Sequence, residues 1–336
     1  MHPAEAMGTK HNAMSKPKLL QNLKLPPALE ERLSGAFDMH HLSDHADPTA
    51  FLAAHGGDFA GLVTSAAVGA HAALLGALPN LRVISSFGVG LDKLDLVVAQ
   101  QRGIAVGYTP DVLNDCVADL AFGLMLDAGR GLSAADRYVR RGDWRGAGTP
   151  ATAPFPLGRK VSGARLGIVG LGRIGNTIAR RASGFDMSVR YHNRRPVAGV
   201  PWPHEPSLLA LAQWADYLVI IAAGGAGTRH LVNAEVLEAL GPSGFLINVS
   251  RGSVVDEAAL VRALADKRIA GAGLDVFENE PRVPQEMLAL DNVVLLPHIA
   301  SATVETRKAM ADRVFDNLSL FFSEGRLVSP APLPAA

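Results

Sequence analysis

From Arg165 onward the chain presents six short apolar runs, RLGIVGLG, MSVRYHN, DYLVIIA, GFLINVS, AGAGLDVF and NVVLLPH, separated by stretches that can be helical. Strands returning at such intervals with helices between them form a parallel sheet, because a parallel neighbour requires a long crossover. The expected architecture is therefore a doubly wound α/β sheet. A shorter series precedes it: DFAGLVTSA, LRVISSFG and GIAVGYT, spaced by HAALLGAL and LDLVVAQQ. At 336 residues the chain has room for two such domains. Between the series runs the helix-prone CVADLAFGLMLDAGRGLSAADRYVRRGDW, then a proline- and glycine-rich loop, GAGTPATAPFPLG, read as a bridge or arm. The segment TVETRKAMADRVFDNLSLFF reads as one amphipathic helix able to return to the first domain.

Composition narrows the function classes. Lysine plus arginine equals aspartate plus glutamate, 32 each, so no overall field recruits nucleic acid or an anionic membrane, and neither partner is expected. The single cysteine, Cys116, excludes an intramolecular disulfide and a cysteine-clustered metal site. Within DVLNDCVADLAFGLML it reads as a small core residue rather than a nucleophile. No apolar run approaches a spanning helix and the N-terminus has no signal-like apolar stretch, so the expected location is cytoplasmic. Residues 1–17 read as a disordered leader, with Met14 an alternative start.

The turn GIVGLGRIG contains Gly170, Gly172 and Gly175 in a G-x-G-x-x-G pattern between an apolar run and the helical NTIARRASGF. Glycines there allow a tight turn, close approach to a pyrophosphate and tight helix–strand packing, while the helix start offers free N–H groups and a favourable dipole. Dinucleotide binding is the expectation, through Gly170, Leu171, Gly172, Arg173, Ile174 and Gly175. At the end of the next run, where NAD binding favours an acid on the adenosine ribose, stand Asn193, Arg194 and Arg195. Asn193 removes the repulsion an acid would exert on a 2′-phosphate, and the arginines supply planar charged forks for it. The expected cofactor is NADPH/NADP, with NADH/NAD as a possible substitute.

Three further run ends carry reactive groups. NVSRGSVVDEAAL supplies Arg251, Asp256 and Glu257; GAGLDVFENEP supplies Asp275, Glu278 and Glu280; NVVLLPHIASAT supplies His298. Carboxyl ends of a doubly wound sheet converge on one crevice, so arginine, carboxylate and histidine can meet there. That set suits reduction of a 2-keto acid: arginine holds a carboxylate or carbonyl, and a carboxylate-paired histidine delivers a proton. Either Glu278 or Glu280 could pair with the histidine. Of the eleven histidines only His298 has this setting; His40, His41, His45, His55 and His71 read as surface or helix residues, and no spacing suggests a metal. Arg307 is left outside the expected site.

From about residue 18 the chain resembles the D-2-hydroxyacid dehydrogenases, through GVGLDKLD, GIVGLGRIG, NVSRGSVVDEAAL, GAGLDVFENEP and LLPHIAS in that family's order. The resemblance implies that Arg251 binds substrate, that Glu280 before Pro281 orients and charges His298, and that His298 is the proton donor or acceptor. It implies that Asp275 contacts the nicotinamide carboxamide and that backbone N–H groups of Val89 and Gly90 receive the substrate carboxylate. Further cofactor contacts are implied at Ala222, Ala223, Val249, Ser250, His298 and Ala300. It also implies two parallel-sheet domains. One is a discontinuous, flavodoxin-like substrate domain, 18–117 and 306–336, and the other a Rossmann cofactor domain, 118–305. The two close about a hinge, and a homodimer is held by an arm near 120–160.

Within the family, SFGVGLDKLD, TPDVLNDCVADLAFGLML and YVRRGDW look most like the NADPH-using hydroxypyruvate, glyoxylate and hydroxyphenylpyruvate reductases. With the sequence ending at 336, the regulatory domains common in phosphoglycerate dehydrogenases are not expected, which disfavours that branch. One departure is IAAGGAGTRH, where many relatives carry a proline-containing PLTPET loop. The alternatives are a corepressor-like NAD(P)(H) sensor with little turnover, an NAD-preferring dehydrogenase of another substrate class, and a formate or phosphite dehydrogenase. Formate chemistry is disfavoured by the acid at Glu280.

Overall fold

Two all-parallel sheets organise the chain in a computed structural model that describes residues 16–145 and 155–334. Most of the expected leader, including Met14, and residues 146–154 of the expected arm lie outside the described residues. The first sheet contains β1 (Lys18–Gln21), β2 (Asp38–His41), β3 (Gly61–Ser65), β4 (Val83–Phe87) and β5 (Ala105–Gly107) in the order β2-β1-β3-β4-β5. This is the flavodoxin-like winding. β3 and β4 are buried at every residue, as strands covered on both faces must be. The sequence reading identifies β3, β4 and β5 but not β1 or β2. β1 is only four residues, KLLQ, and β2 is an edge strand with a polar DMHH sequence, so neither carries a strong apolar run.

The second sheet contains β6 (Arg165–Val169), β7 (Ser188–His192), β8 (Tyr217–Ile220), β9 (Phe245–Asn248), β10 (Gly271–Leu274) and β11 (Val293–Leu295), ordered β11-β10-β9-β8-β6-β7. All six match the apolar runs. Beyond β7 the chain adds a single parallel bridge, Tyr191 to His204, held by Tyr191 N–H to Pro203 C=O (3.1 Å) and Glu205 N–H to Tyr191 C=O (2.7 Å). That bridge stands where a third strand would, so β6, β7 and the bridge reproduce the 1-2-3 half of a Rossmann winding with its third strand reduced to one residue.

The long helix-prone stretch is broken into α5 (Asn114–Arg130) and α6 (Leu132–Arg140) by Gly131, whose φ of 65° no helix accommodates. α5 is a core helix, not an arm: it buries Val117, Ala118, Ala121, Phe122, Leu124 and Met125 and packs on β9, β10 and α7 (Arg173–Ala182). Of these two helices, α6 has no buried residue.

The chain divides into two compact units. One contains the chain up to Val89, Lys93–Tyr108 and the chain from Ala311 on; the other contains Gly90–Asp92 and Thr109–Met310. Apart from the short Gly90–Asp92 segment, the chain passes from the first unit to the second at Tyr108 rather than 117, because α5 packs on the second sheet. The last helix, α12 (Val304–Glu324), starts in the second unit and ends in the first, where Phe315 and Phe322 pack on Phe37. Buried Asn317 ties it there, accepting from Ser329 N–H at 2.9 Å and donating to Tyr108 C=O at 3.3 Å.

Candidate active site

The second unit's strand order reverses at β6, and the turn that follows is built by its three glycines. At Gly170, with φ of 105°, a Cβ would stand 2.6 Å from Ala222 N; at Gly175 it would overlap the Gly170 carbonyl oxygen. At Gly172 a Cβ would meet nothing within 4 Å, and this residue caps α7 without offering any side chain to its N–H groups. The first and third glycines are therefore needed for packing, and the second leaves backbone open to a ligand. An uncapped helix start facing open space fits a dinucleotide pyrophosphate. Leu171 is buried, Ile174 half-buried, and Arg173 exposed beside Asp111 at 3.4 Å.

Asn193 has a role that the sequence does not reveal. Its Oδ1 accepts from Leu171 N–H at 2.7 Å, so the side chain braces the glycine turn, and its carbonyl accepts from His204 Nε2 at 2.9 Å. Arg194 and Arg195 are exposed on the same loop, and neither has a hydrogen-bond or ion-pair partner among the described residues. Two exposed guanidinium groups without partners among the described residues, on the loop that follows β7, fit a 2′-phosphate.

Farther along the sheet, β9, β10 and β11 are neighbours, so the segments that follow them lie side by side. His298 Nδ1 donates to Glu280 Oε2 at 2.8 Å, and Glu280 Oε1 accepts from Phe277 N–H at 3.1 Å. The ring keeps Nε2 without a partner among the described residues, and it is 39% exposed, open enough to meet a substrate. Burial raises the Glu280 carboxyl, but the hydrogen bond and charge of His298, the Phe277 N–H and the charge of Arg251 outweigh it and hold the group below its ordinary range. Glu278 points elsewhere: its Oε1 lies 2.6 Å from Arg229 Nη2 and 3.0 Å from His230 Nε2. The two-residue ambiguity of the sequence is thus resolved in favour of Glu280.

His298 itself sits at φ of 55°, a region non-glycine residues rarely occupy. Asp275 holds it there. The His298 N–H donates to the Asp275 carbonyl at 2.9 Å, while the Asp275 carboxylate accepts from Ile299 N–H at 2.7 Å and Ala300 N–H at 2.8 Å. Asp275 is fully buried, and that burial pushes its carboxyl up against the opposing pull of the two N–H groups. What the structure displays for Asp275 is therefore a brace for the histidine turn. Cys116 is half-buried, and its thiol donates to the Ala300 carbonyl at 2.9 Å.

Arg251 follows β9, with Val249 and Ser250 buried before it. Asn248, missed by the sequence reading, stiffens this corner: its Oδ1 accepts from Ser250 N–H at 3.1 Å and Ser250 Oγ at 2.9 Å, and its Nδ2 donates to Arg251 C=O at 3.1 Å. Arg251 is also paired with Asp92, at 3.2 Å from Nε, another residue the sequence reading passed over. Its only signal is an acid two residues after the second glycine of GVGLD. Of the expected carboxylate loop, Val89 belongs to the first unit and Gly90 to the second. Ala222 is half-buried and Ala223 exposed, and the Ala223 carbonyl accepts from Thr228 Oγ1 at 2.7 Å, closing the loop that replaces the proline-containing one. Asp256 and Glu257 are structural: Asp256 caps α10 (Glu257–Ala265) and Glu257 accepts from Glu278 N–H at 3.0 Å.

Chemically, one end of the second sheet offers an anion cradle, a cation pair, an arginine and a carboxylate-supported histidine. Among the described residues no group of three or more His, Cys, Asp or Glu side chains could hold a metal ion. No described helix is long and apolar enough to cross a membrane.

The family model for the NAD-binding domain of D-isomer specific 2-hydroxyacid dehydrogenases matches residues 122–300. The chain is 45% identical over 302 residues to glyoxylate/hydroxypyruvate reductase A of Arabidopsis thaliana, covering 90% of this chain and 95% of that protein. It is equally similar, 45% over 302 residues, to hydroxyphenylpyruvate reductase of Plectranthus scutellarioides, with coverage of 90% and 95%. Among solved structures, the NADPH-dependent glyoxylate/hydroxypyruvate reductase of Sinorhizobium meliloti, crystallised with NADP and malonate, superimposes with a TM-score of 0.87 at 45% identity. That match covers 96% of this chain and 99% of the other.

Proposed function

The chain belongs to the D-isomer specific 2-hydroxyacid dehydrogenase family, and we propose that it reduces a small 2-keto acid, such as glyoxylate, hydroxypyruvate or hydroxyphenylpyruvate, to the D-2-hydroxy acid with NADPH. The observation that carries this reading is the 2.8 Å hydrogen bond from His298 Nδ1 to Glu280, which leaves Nε2 open. When bound, NADPH supplies the hydride that reduces the keto carbon. Arg251 and the backbone N–H of Gly90, which belong to the same unit, hold the substrate carboxylate. His298 Nε2 gives its proton to the carbonyl oxygen as negative charge develops there, and Glu280 orients the ring by accepting from Nδ1. Arg194 and Arg195 take the 2′-phosphate, Gly170–Gly175 the pyrophosphate, and Asp275, Ala222, Ala223, Val249, Ser250 and Ala300 line the rest of the cofactor's course.

In this reading the first unit is the substrate-binding domain and the second the cofactor domain. Exposed Leu132, Val139 and Trp144, on and just after α6, support a homodimer joined through this arm, in a cytoplasmic enzyme. The test is the initial rate of NADPH and NADH oxidation with glyoxylate, hydroxypyruvate and 4-hydroxyphenylpyruvate. Turnover with an NADPH preference is expected. Tight NADPH binding without turnover of any of the three acids would replace this reading with that of a cofactor sensor.

A further inference from the structure

Three residues, Gly90–Asp92, interrupt the first unit and belong to the second. Asp92 meets Arg251 there: Arg251 Nε donates to Oδ1 at 3.2 Å and to Oδ2 at 3.4 Å. Both side chains are sheltered, 22% exposed for Arg251 and 14% for Asp92. Arg251 Nη1 donates to the Ser250 carbonyl at 2.8 Å. Nη2 is then the guanidinium nitrogen without a partner among the described residues, and it faces Gly90, where a Cβ would overlap it.

Two glycines make room for this pair. At Gly224 a Cβ would stand 2.8 Å from Arg251 Cγ and 3.2 Å from Asp92 Cγ. Neither Gly90 nor Gly224 has a positive φ, so backbone conformation does not require glycine at either place. Close approach to the Asp92–Arg251 pair does. Gly224 lies in the loop AAGGAGT, which departs from the proline-containing version.

We propose that Asp92 is a positioning residue for the keto-acid reaction, which fixes the Arg251 guanidinium so that its Nη2 edge meets the substrate. This rests on the functional reading above, in which Arg251 holds the keto acid. A guanidinium is planar with its donors in a rigid fork, so anchoring Nε and Nη1 sets the direction of the remaining donor. An arginine already held in one rotamer also loses less conformational entropy on binding than a free one. Without Asp92 the side chain keeps its charge but not its aim, and both substrate affinity and alignment with the hydride donor suffer.

The test compares Asp92→Ala, Asp92→Asn, Arg251→Gln and the Asp92→Ala/Arg251→Gln double variant with the wild type, using glyoxylate and hydroxypyruvate. Melting curves verify folding. Asp92→Ala is expected to raise KM for the keto acid about tenfold or more and to lower kcat, while KM for NADPH stays within about twofold. Asp92→Asn, which retains an acceptor, should recover part of the loss. Once Arg251 is glutamine, Asp92→Ala should change kcat/KM by less than about threefold, because the two residues act as one unit. If Asp92→Ala does not fold, Asp92→Asn takes its place in the cycle. Additive losses in a wild type that turns over would overturn this proposal alone, as would equal losses toward NADPH and keto acid. A wild type inactive on every keto acid would overturn the functional reading and this one with it.

Discussion

Glu280 and Glu278 stand two residues apart on one segment and serve different partners: Glu280 Oε2 lies 2.8 Å from His298 Nδ1, whereas Glu278 Oε1 lies 2.6 Å from Arg229 Nη2. Substituting each by glutamine separates the two roles. Glu280→Gln should lower kcat by about tenfold to a hundredfold, since the ring loses the carboxylate that accepts from its Nδ1 and orients it. Glu278→Gln should leave kcat within about twofold, because its carboxylate serves Arg229 and His230. A stability signature accompanies the first variant. The folded state holds the Glu280 carboxyl below its ordinary range, so its contribution is present above that range and is lost as pH falls through the lowered value. The stability gap between wild type and Glu280→Gln, measured by denaturant titration, should therefore shrink on acidification.

His298→Gln removes the proton donor and leaves the glycine turn untouched. Turnover should fall about a hundredfold or more. NADPH affinity, measured by fluorescence titration, should be retained. A variant with full rate would exclude His298 from proton transfer.

Arg194 and Arg195 carry charge with no partner among the described residues, which is the state expected of groups waiting for an anion. The double alanine variant should raise KM for NADPH about tenfold to a hundredfold, the value of one or two charged hydrogen bonds. KM for NADH should stay within about twofold. An equal loss for both cofactors would mean that the pair does not read the 2′-phosphate.

Asp275 is fully buried and holds Ile299 and Ala300 N–H groups beside the left-handed His298. Asp275→Ala leaves those donors without their acceptor, at a cost of about 1–3 kcal/mol, and releases the histidine turn. A lower melting temperature together with loss of turnover is expected. Loss of turnover at unchanged stability would point instead to direct contact with the cofactor.

Much of this arrangement is legible in the linear chain. The six apolar runs of the second sheet all become strands, and the glycine spacing places Gly172 at an open helix start. The less visible parts have specific causes. β2 reads DMHH because an edge strand paired with only one neighbour can tolerate polar residues. The third Rossmann strand is a single bridge at His204, too short for periodicity to detect. Asn193 looked like the absence of an acid, whereas its amide holds the Leu171 N–H.

Local chemistry, written in short windows, determined the strands, the glycine turn, the basic pair and the identities of the arginine, glutamate and histidine. Those signals survive in sequence because each depends on neighbours within a few residues: alternation with helices, glycine where a backbone must approach, charge where an anion binds. Tertiary structure decided the pairings. That Asp92 meets Arg251 across 159 positions and that Glu280 rather than Glu278 meets His298 follows from where each strand in a parallel sheet delivers its end. No local preference encodes those distances, since they arise only when the crossovers bring distant segments to the same edge.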